Sequence, residues 1–93
     1  MIKSFKHKGL KTFFETGNTK GIQTHHQLKL RRILAILNAA KAIEDVIAFP
    51  SLKCHALKGK RKDQWSVSIN GNWRITFKIF EGNIYFTDYE DYH

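Results

Sequence analysis

The sequence predicts an α+β fold of order β-α-α-β-β-β, an antiparallel meander sheet with two N-terminal helices packed on one face. Two observations carry this. From Trp65 onward, apolar and polar residues alternate with a period of two, in runs separated by turn-forming dipeptides. Earlier in the chain, apolar residues recur at helical spacing between Leu10 and Leu37.

Taken in order, Ile2 to Lys6 alternates and reads as a short opening strand. Leu10, Phe13 and Phe14 fall at helical spacing, and Gly17-Asn18 supplies a stop. After a loop from Gly17 to Gly21, Thr24 and Gln27 have the form of a capping box. The helix that follows runs from about Gln27 to about Ala40, with Leu30, Ile33, Leu34 and Leu37 on one face. Ala42 to Phe49 is apolar but poorly periodic, and Pro50 ends it. Ser51 to Asp63 carries five Lys and Arg residues and reads as an exposed basic connection. Three strands close the chain: Trp65–Ile69, Trp73–Ile79 and Ile84–Tyr89. Asn70-Gly71 and Gly82-Asn83 between them supply the positive φ angles of tight hairpins. Parity then puts Trp73, Ile75, Phe77 and Ile79 under the helices, and Arg74, Thr76 and Lys78 on the wetter face.

At 93 residues the chain is predicted to be one domain, 1–93, since domains typically run about 100–200 residues. Sixteen Lys and Arg against eight Asp and Glu give a net charge of +8, which points to a polyanionic partner, nucleic acid or a membrane surface. One cysteine, Cys54, excludes an internal disulfide scaffold. The longest apolar run, Ile33 to Leu37, is far short of the ~20 residues that span a bilayer, and no signal peptide is evident. A cytoplasmic protein is expected.

Several residues invite a chemical reading beside a plainer one. Arg74 on a strand is either a phosphate ligand or half of a cross-strand ion pair. Lys58 in the basic loop is a phosphate ligand or a solvated lysine, and the ending Asp88 to His93 is a proton-carrying group or an exposed polar terminus. His25-His26 reads as surface decoration, because adjacent residues make a poor chelate. Cys54-His55 lacks a second pair at zinc spacing. Cys54 itself reads as a small semi-buried apolar residue, and Trp65 and Trp73 share parity with aliphatic core positions.

Five segments together are highly specific. Met1-Ile2-Lys3-Ser4-Phe5, His55-Ala56-Leu57-Lys58-Gly59, Gln64-Trp65-Ser66-Val67, Asn72-Trp73-Arg74-Ile75-Thr76-Phe77 and the ending Asp88 to His93 resemble the HigB branch of RelE-type toxins, in order and over essentially the whole chain. The resemblance implies a RelE-like fold and a ribosome-dependent messenger-RNA endonuclease that cuts the codon in the ribosomal A site. It also implies a cut without metal or cofactor, and an antitoxin partner of the helix-turn-helix, HigA-like type encoded beside it. Carried over residue by residue, the family's active-site set falls on His55, Lys58, Arg74, Asp91, Tyr92 and His93.

Such a cut proceeds by attack of a ribose 2′-OH on its own 3′-phosphate. Arg74 and Lys58 offer positive charge for the non-bridging oxygens, and His55 can ligate the phosphate or orient the nucleotide. Asp91, Tyr92 and His93 offer proton carriers; His93 is assigned as general acid and Asp91 as acceptor of the 2′-OH proton or as its orienter. Two rivals stand beside this reading: a non-catalytic superfamily toxin that inhibits DNA gyrase, and a basic RNA-binding module. A free-standing ribonuclease is a further variant.

Overall fold

A computed structural model describes residues 1–92. Three helices precede a four-stranded antiparallel sheet whose strands lie side by side in chain order. The helices are α1 (Lys8–Thr16), α2 (Gln27–Ala39) and α3 (Ile43–Ile47); the strands are β1 (His55–Ala56), β2 (Trp65–Asn70), β3 (Trp73–Phe80) and β4 (Asn83–Asp91). Among the described residues no helix is long and apolar enough to cross a membrane.

α1 begins where His7 Nδ1 accepts the Leu10 N–H at 3.0 Å, and ends at Gly17, whose left-handed φ of 81° lets its N–H reach Phe13 O. α2 buries Leu30, Ile33, Leu34 and Leu37, the expected stripe. Each such side chain gains roughly 1.5–3 kcal/mol from leaving water. They share one core with Val67, Ile69, Ile75, Phe77 and Ile84 of the sheet, so the helices cover a single sheet face.

The predicted capping box does not form. Thr24–His26 is a 3-10 turn, and α2 starts at Gln27 with no side-chain cap. The turn drives His26 into the core, where its ring meets Tyr89, and that tertiary contact overrides the local signal. Ala42 to Phe49 becomes the short α3, started by Asp45 Oδ2 accepting the backbone N–H groups of Lys41 and Ala42 at 2.8 and 3.1 Å. The opening segment is reduced to two isolated parallel bridges on the outer side of β4, Ile2 with Ile84 and Phe5 with Thr87. The basic connection, read as exposed and given no strand, contains β1, which pairs His55 with Ser66 and Ala56 with Trp65. It also contains two 3-10 turns, Pro50–Leu52 and Gly59–Arg61.

Both hairpins are tight, but their loops sit one residue off the expected dipeptides. Asn70 pairs with Trp73 across Gly71-Asn72, and Phe80 pairs with Asn83 across Glu81-Gly82. Positive φ falls on Gly71 (57°), Glu81 (48°) and Gly82 (77°).

One irregularity decides the chemistry of β4. Phe86 has φ 55°, and the β3–β4 register shifts between Thr76 and Lys78. This bulge inverts parity: Ile84 points into the core before it, Thr87 and Tyr89 after it. The residues that alternate with Thr87 and Tyr89, namely Asp88 and Glu90, therefore share the open face with Thr76 and Arg74, their register partners.

Candidate active site

Pairing alone gathers the site on the sheet face away from the helices. His55 lies opposite Ser66, Ser66 opposite Thr76, Ser68 opposite Arg74, and Arg74 opposite Glu90. On this face lies a shallow pocket of about 190 Å³, lined among others by Lys53, His55, Ser68, Arg74 and Tyr92.

Arg74 is the most constrained of them. Its side chain is only 15% exposed, its guanidinium carbon lies 4.1 Å from the centre of the Tyr92 ring, and Nη2 is 3.6 Å from Glu90 Oε1. Tyr92 reaches it because its backbone N–H donates to Asn72 O at 3.0 Å, which ties the chain after β4 to the β2–β3 turn. Buried Arg74 Nε has no hydrogen-bond partner among the described residues. Both readings of Arg74 thus meet in one side chain: it faces a cross-strand carboxylate, yet at a distance longer than a hydrogen bond.

Glu90 is engaged chiefly elsewhere. Arg61 grips it with a fork, Nη1 to Oε1 at 2.9 Å and Nη2 to Oε2 at 2.6 Å, and Thr76 Oγ1 donates to Oε2. The Arg61 hydrogen bond above all holds the Glu90 carboxyl down at about 2, with Thr76 and the charges of Arg61 and Arg74 adding to it against the opposing effect of burial. Arg61 is itself fixed by Gln64 Oε1, which accepts from Nη2 at 2.9 Å and Nε at 3.3 Å.

His55 Nδ1 lies 2.9 Å from Lys53 O. A carbonyl only accepts, so Nδ1 carries the proton, and Nε2 is the ring nitrogen that remains to exchange one. Lys53 adopts φ 50°, and this left-handed residue at the end of the Pro50–Leu52 turn brings its own side chain to the pocket wall.

The structure therefore brings together His55, Arg74 and Tyr92. It does not place Lys58 in the pocket wall: Lys58 is exposed at the entry to the Gly59–Arg61 turn. Asp91 is exposed and pairs with Trp73, so it has the opposite parity to Arg74 and Glu90. His93 lies outside the described residues. Lys53, Arg61 and Glu90 are additions that the sequence reading missed, since each looks like an ordinary solvated charge until the bulge and the loop are known.

Behind the pocket, Trp73 stacks on Tyr89 at 4.6 Å between ring centres and meets His26 edge-on at 5.5 Å. His26 is buried, which corrects its reading as surface decoration. Burial first, then the charges of His25 and Lys29, lowers its pKa, so the neutral ring accepts at Nδ1 from the Tyr89 hydroxyl at 2.6 Å. Cys54 is half-buried, and burial pushes its thiol up to about 11, which removes it as a thiolate nucleophile at neutral pH.

The pocket combines a guanidinium with free donor capacity, a lysine, an imidazole and strand hydroxyls on a rigid sheet. That set suits a phosphodiester, whose single negative charge is shared over two non-bridging oxygens. Residues 3–93 match the family described as the RelE-like toxin of the type II toxin-antitoxin system HigB. The chain is 43% identical to the endoribonuclease HigB of Proteus vulgaris over 93 residues, the whole of both chains. Its fold is similar to that of YafQ from E. coli: a point mutant matches with a TM-score of 0.62 at 17% identity, covering 98% of this chain and 91% of the other. YafQ from strain BL21(DE3) matches with 0.57 at 14% identity and the same coverage. By fold and by this end-to-end likeness, the chain belongs to the HigB-like family of RelE-like toxins of type II toxin–antitoxin systems.

Proposed function

We propose that the protein is a cytoplasmic, metal-independent endoribonuclease that cuts messenger RNA in the ribosomal A site and is held inactive by a helix-turn-helix, HigA-like antitoxin. The observation that carries it is Arg74, fixed between Tyr92 and Glu90 beside His55 on an open sheet face, in a chain 43% identical to a protein named an endoribonuclease. The scissile phosphate sits against the Arg74 guanidinium, with Lys53 on the pocket wall and Lys58 adding positive charge from the exposed loop outside it. His55 Nε2 meets the phosphate or the ribose.

The 2′-oxygen forms a bond to phosphorus as its proton passes to a general base that Asp91 supplies or, given its strand parity, orients. The bond from phosphorus to the 5′-oxygen breaks, and that oxygen takes a proton from His93. The products are a 2′,3′-cyclic phosphate and a 5′-hydroxyl. Charge accumulates on the non-bridging oxygens in between, where Arg74 opposes it without having to reorganise. Tyr92 keeps the guanidinium plane in place, and the A site supplies the substrate orientation that the shallow pocket does not.

Primer extension on a defined messenger, with and without programmed ribosomes, tests the proposal. Breaks inside the A-site codon are expected only with ribosomes, and Arg74→Ala should lower their rate by about 10²–10³ while leaving the fold intact. Cutting of naked RNA would make the protein a free-standing ribonuclease. An unimpaired Arg74→Ala variant would remove Arg74 from the site.

A further inference from the structure

Glu90 is an anomaly beside a pocket whose lining suits a phosphate. A carboxylate stands directly across β3–β4 from Arg74, the arrangement in which strand charges normally neutralise one another. It does not close on Arg74: Nη2 stays 3.6 Å away, while Arg61 and Thr76 take the carboxylate oxygens. Arg61 comes from outside the sheet, from the 3-10 turn at Gly59–Arg61, and is braced for this geometry by Gln64.

We infer that Arg61 is a positioning residue that holds Glu90 off Arg74 and so keeps the Arg74 charge available for an RNA phosphate. This rests on the reading of the pocket as an RNA phosphate site. Without Arg61, Glu90 loses its bidentate partner, and the cation left facing it in the described structure is Arg74. A movement of under 1 Å would turn 3.6 Å into a direct charge-assisted hydrogen bond, and an incoming phosphate would then have to displace a carboxylate. Arg61 acts on the pocket through Glu90, not by touching the substrate.

The inference predicts a rescue that a merely structural role would not produce. Binding is read with a short single-stranded RNA carrying one 2′-deoxy nucleotide at the scissile position, so that affinity is measured without cleavage. Arg61→Ala should weaken binding about tenfold, and adding Glu90→Gln to it should recover most of that loss. A double variant as weak as Arg61→Ala alone overturns the inference, because Arg61 would then be contacting RNA or holding the fold. If Arg61→Ala fails to fold, Arg61→Lys keeps the charge but not the fork, and the same partial loss and the same Glu90→Gln rescue are expected. Ribosome-dependent cleavage is measured on the same proteins. Rescue without A-site cutting by the wild type would defeat the proposed function alone, and A-site cutting without rescue would defeat this inference alone.

Discussion

Arg74 has two unlike neighbours, an aromatic ring and a carboxylate, and each makes a separable prediction. If Tyr92 serves by stacking, Tyr92→Phe should retain far more cleavage than Tyr92→Ala, since the ring face is kept and the hydroxyl lost. Equal loss in both variants would instead assign the hydroxyl a proton-transfer role; single-turnover rates in programmed ribosomes distinguish them. For Glu90 the observable is stability against pH. Its folded pKa, about 2, is depressed below the ordinary 4.5, so the folded state is favoured above the ordinary value and that advantage fades as pH falls through the folded one. The wild type should therefore lose about 1–2 kcal/mol between roughly pH 4.5 and pH 2, the figure being reduced by solvent screening of the one-third-exposed Arg61. Glu90→Gln should not show that slope in denaturant unfolding followed by circular dichroism.

The elements differ in how far they could be read in advance, and the differences have causes. The long helix α2 and the strand β3 are legible because their apolar residues repeat over many positions, and burial at Leu30 to Leu37 and at Ile75 and Phe77 follows the pattern. β1 is two residues long and exists only as a partner of β2, so no local period marks it. The bulge at Phe86 is hidden for a related reason. Its single extra residue reverses the alternation in the second half of β4, so simple period-two counting from Ile84 would not place Glu90 on the face of Arg74. His55, Arg74 and Tyr92 were recoverable from motif resemblance, whereas Arg61 required knowing where its turn docks. Packing between elements carries its own prediction. α1 and the loop before α2 touch at two glycines, where a methyl group on Gly21 would lie 2.4 Å from Gly9 Cα. Because the obstacle is backbone, Gly21→Ala should cost about 1–3 kcal/mol. The corresponding fall in Tm is about 4–8 °C per kcal/mol for a chain of this size, readable by calorimetry.

For the molecule as a whole, a charge of +8 strengthens the attraction for RNA over a range that salt sets, and the proposed function has it dock at the pocket. Affinity for single-stranded RNA should fall linearly with the logarithm of salt concentration, with a slope of about −0.7 for each phosphate neutralised. Arg74→Ala should flatten that slope by about 0.7, one phosphate contact, whereas a lysine on the far helical face should leave it within error. Filter binding across a salt series checks this, and an unchanged slope in Arg74→Ala would mean that Arg74 meets no phosphate.

The order of the strands also governs when the pocket comes into being. β4 is made after every other element, yet it slots between β3 and the Ile2–Phe5 segment, so one late strand zips the start of the chain to its close. Until it arrives, β3 has a neighbour on one side only, β2, and Arg74 has neither its aromatic lid nor its carboxylate. A nascent chain whose last strand is still inside the exit tunnel carries Arg74 on an unfinished sheet. The arrangement around Arg74 is therefore completed only once β4 has emerged and paired, so the first strands and helices of the fold form before the pocket does.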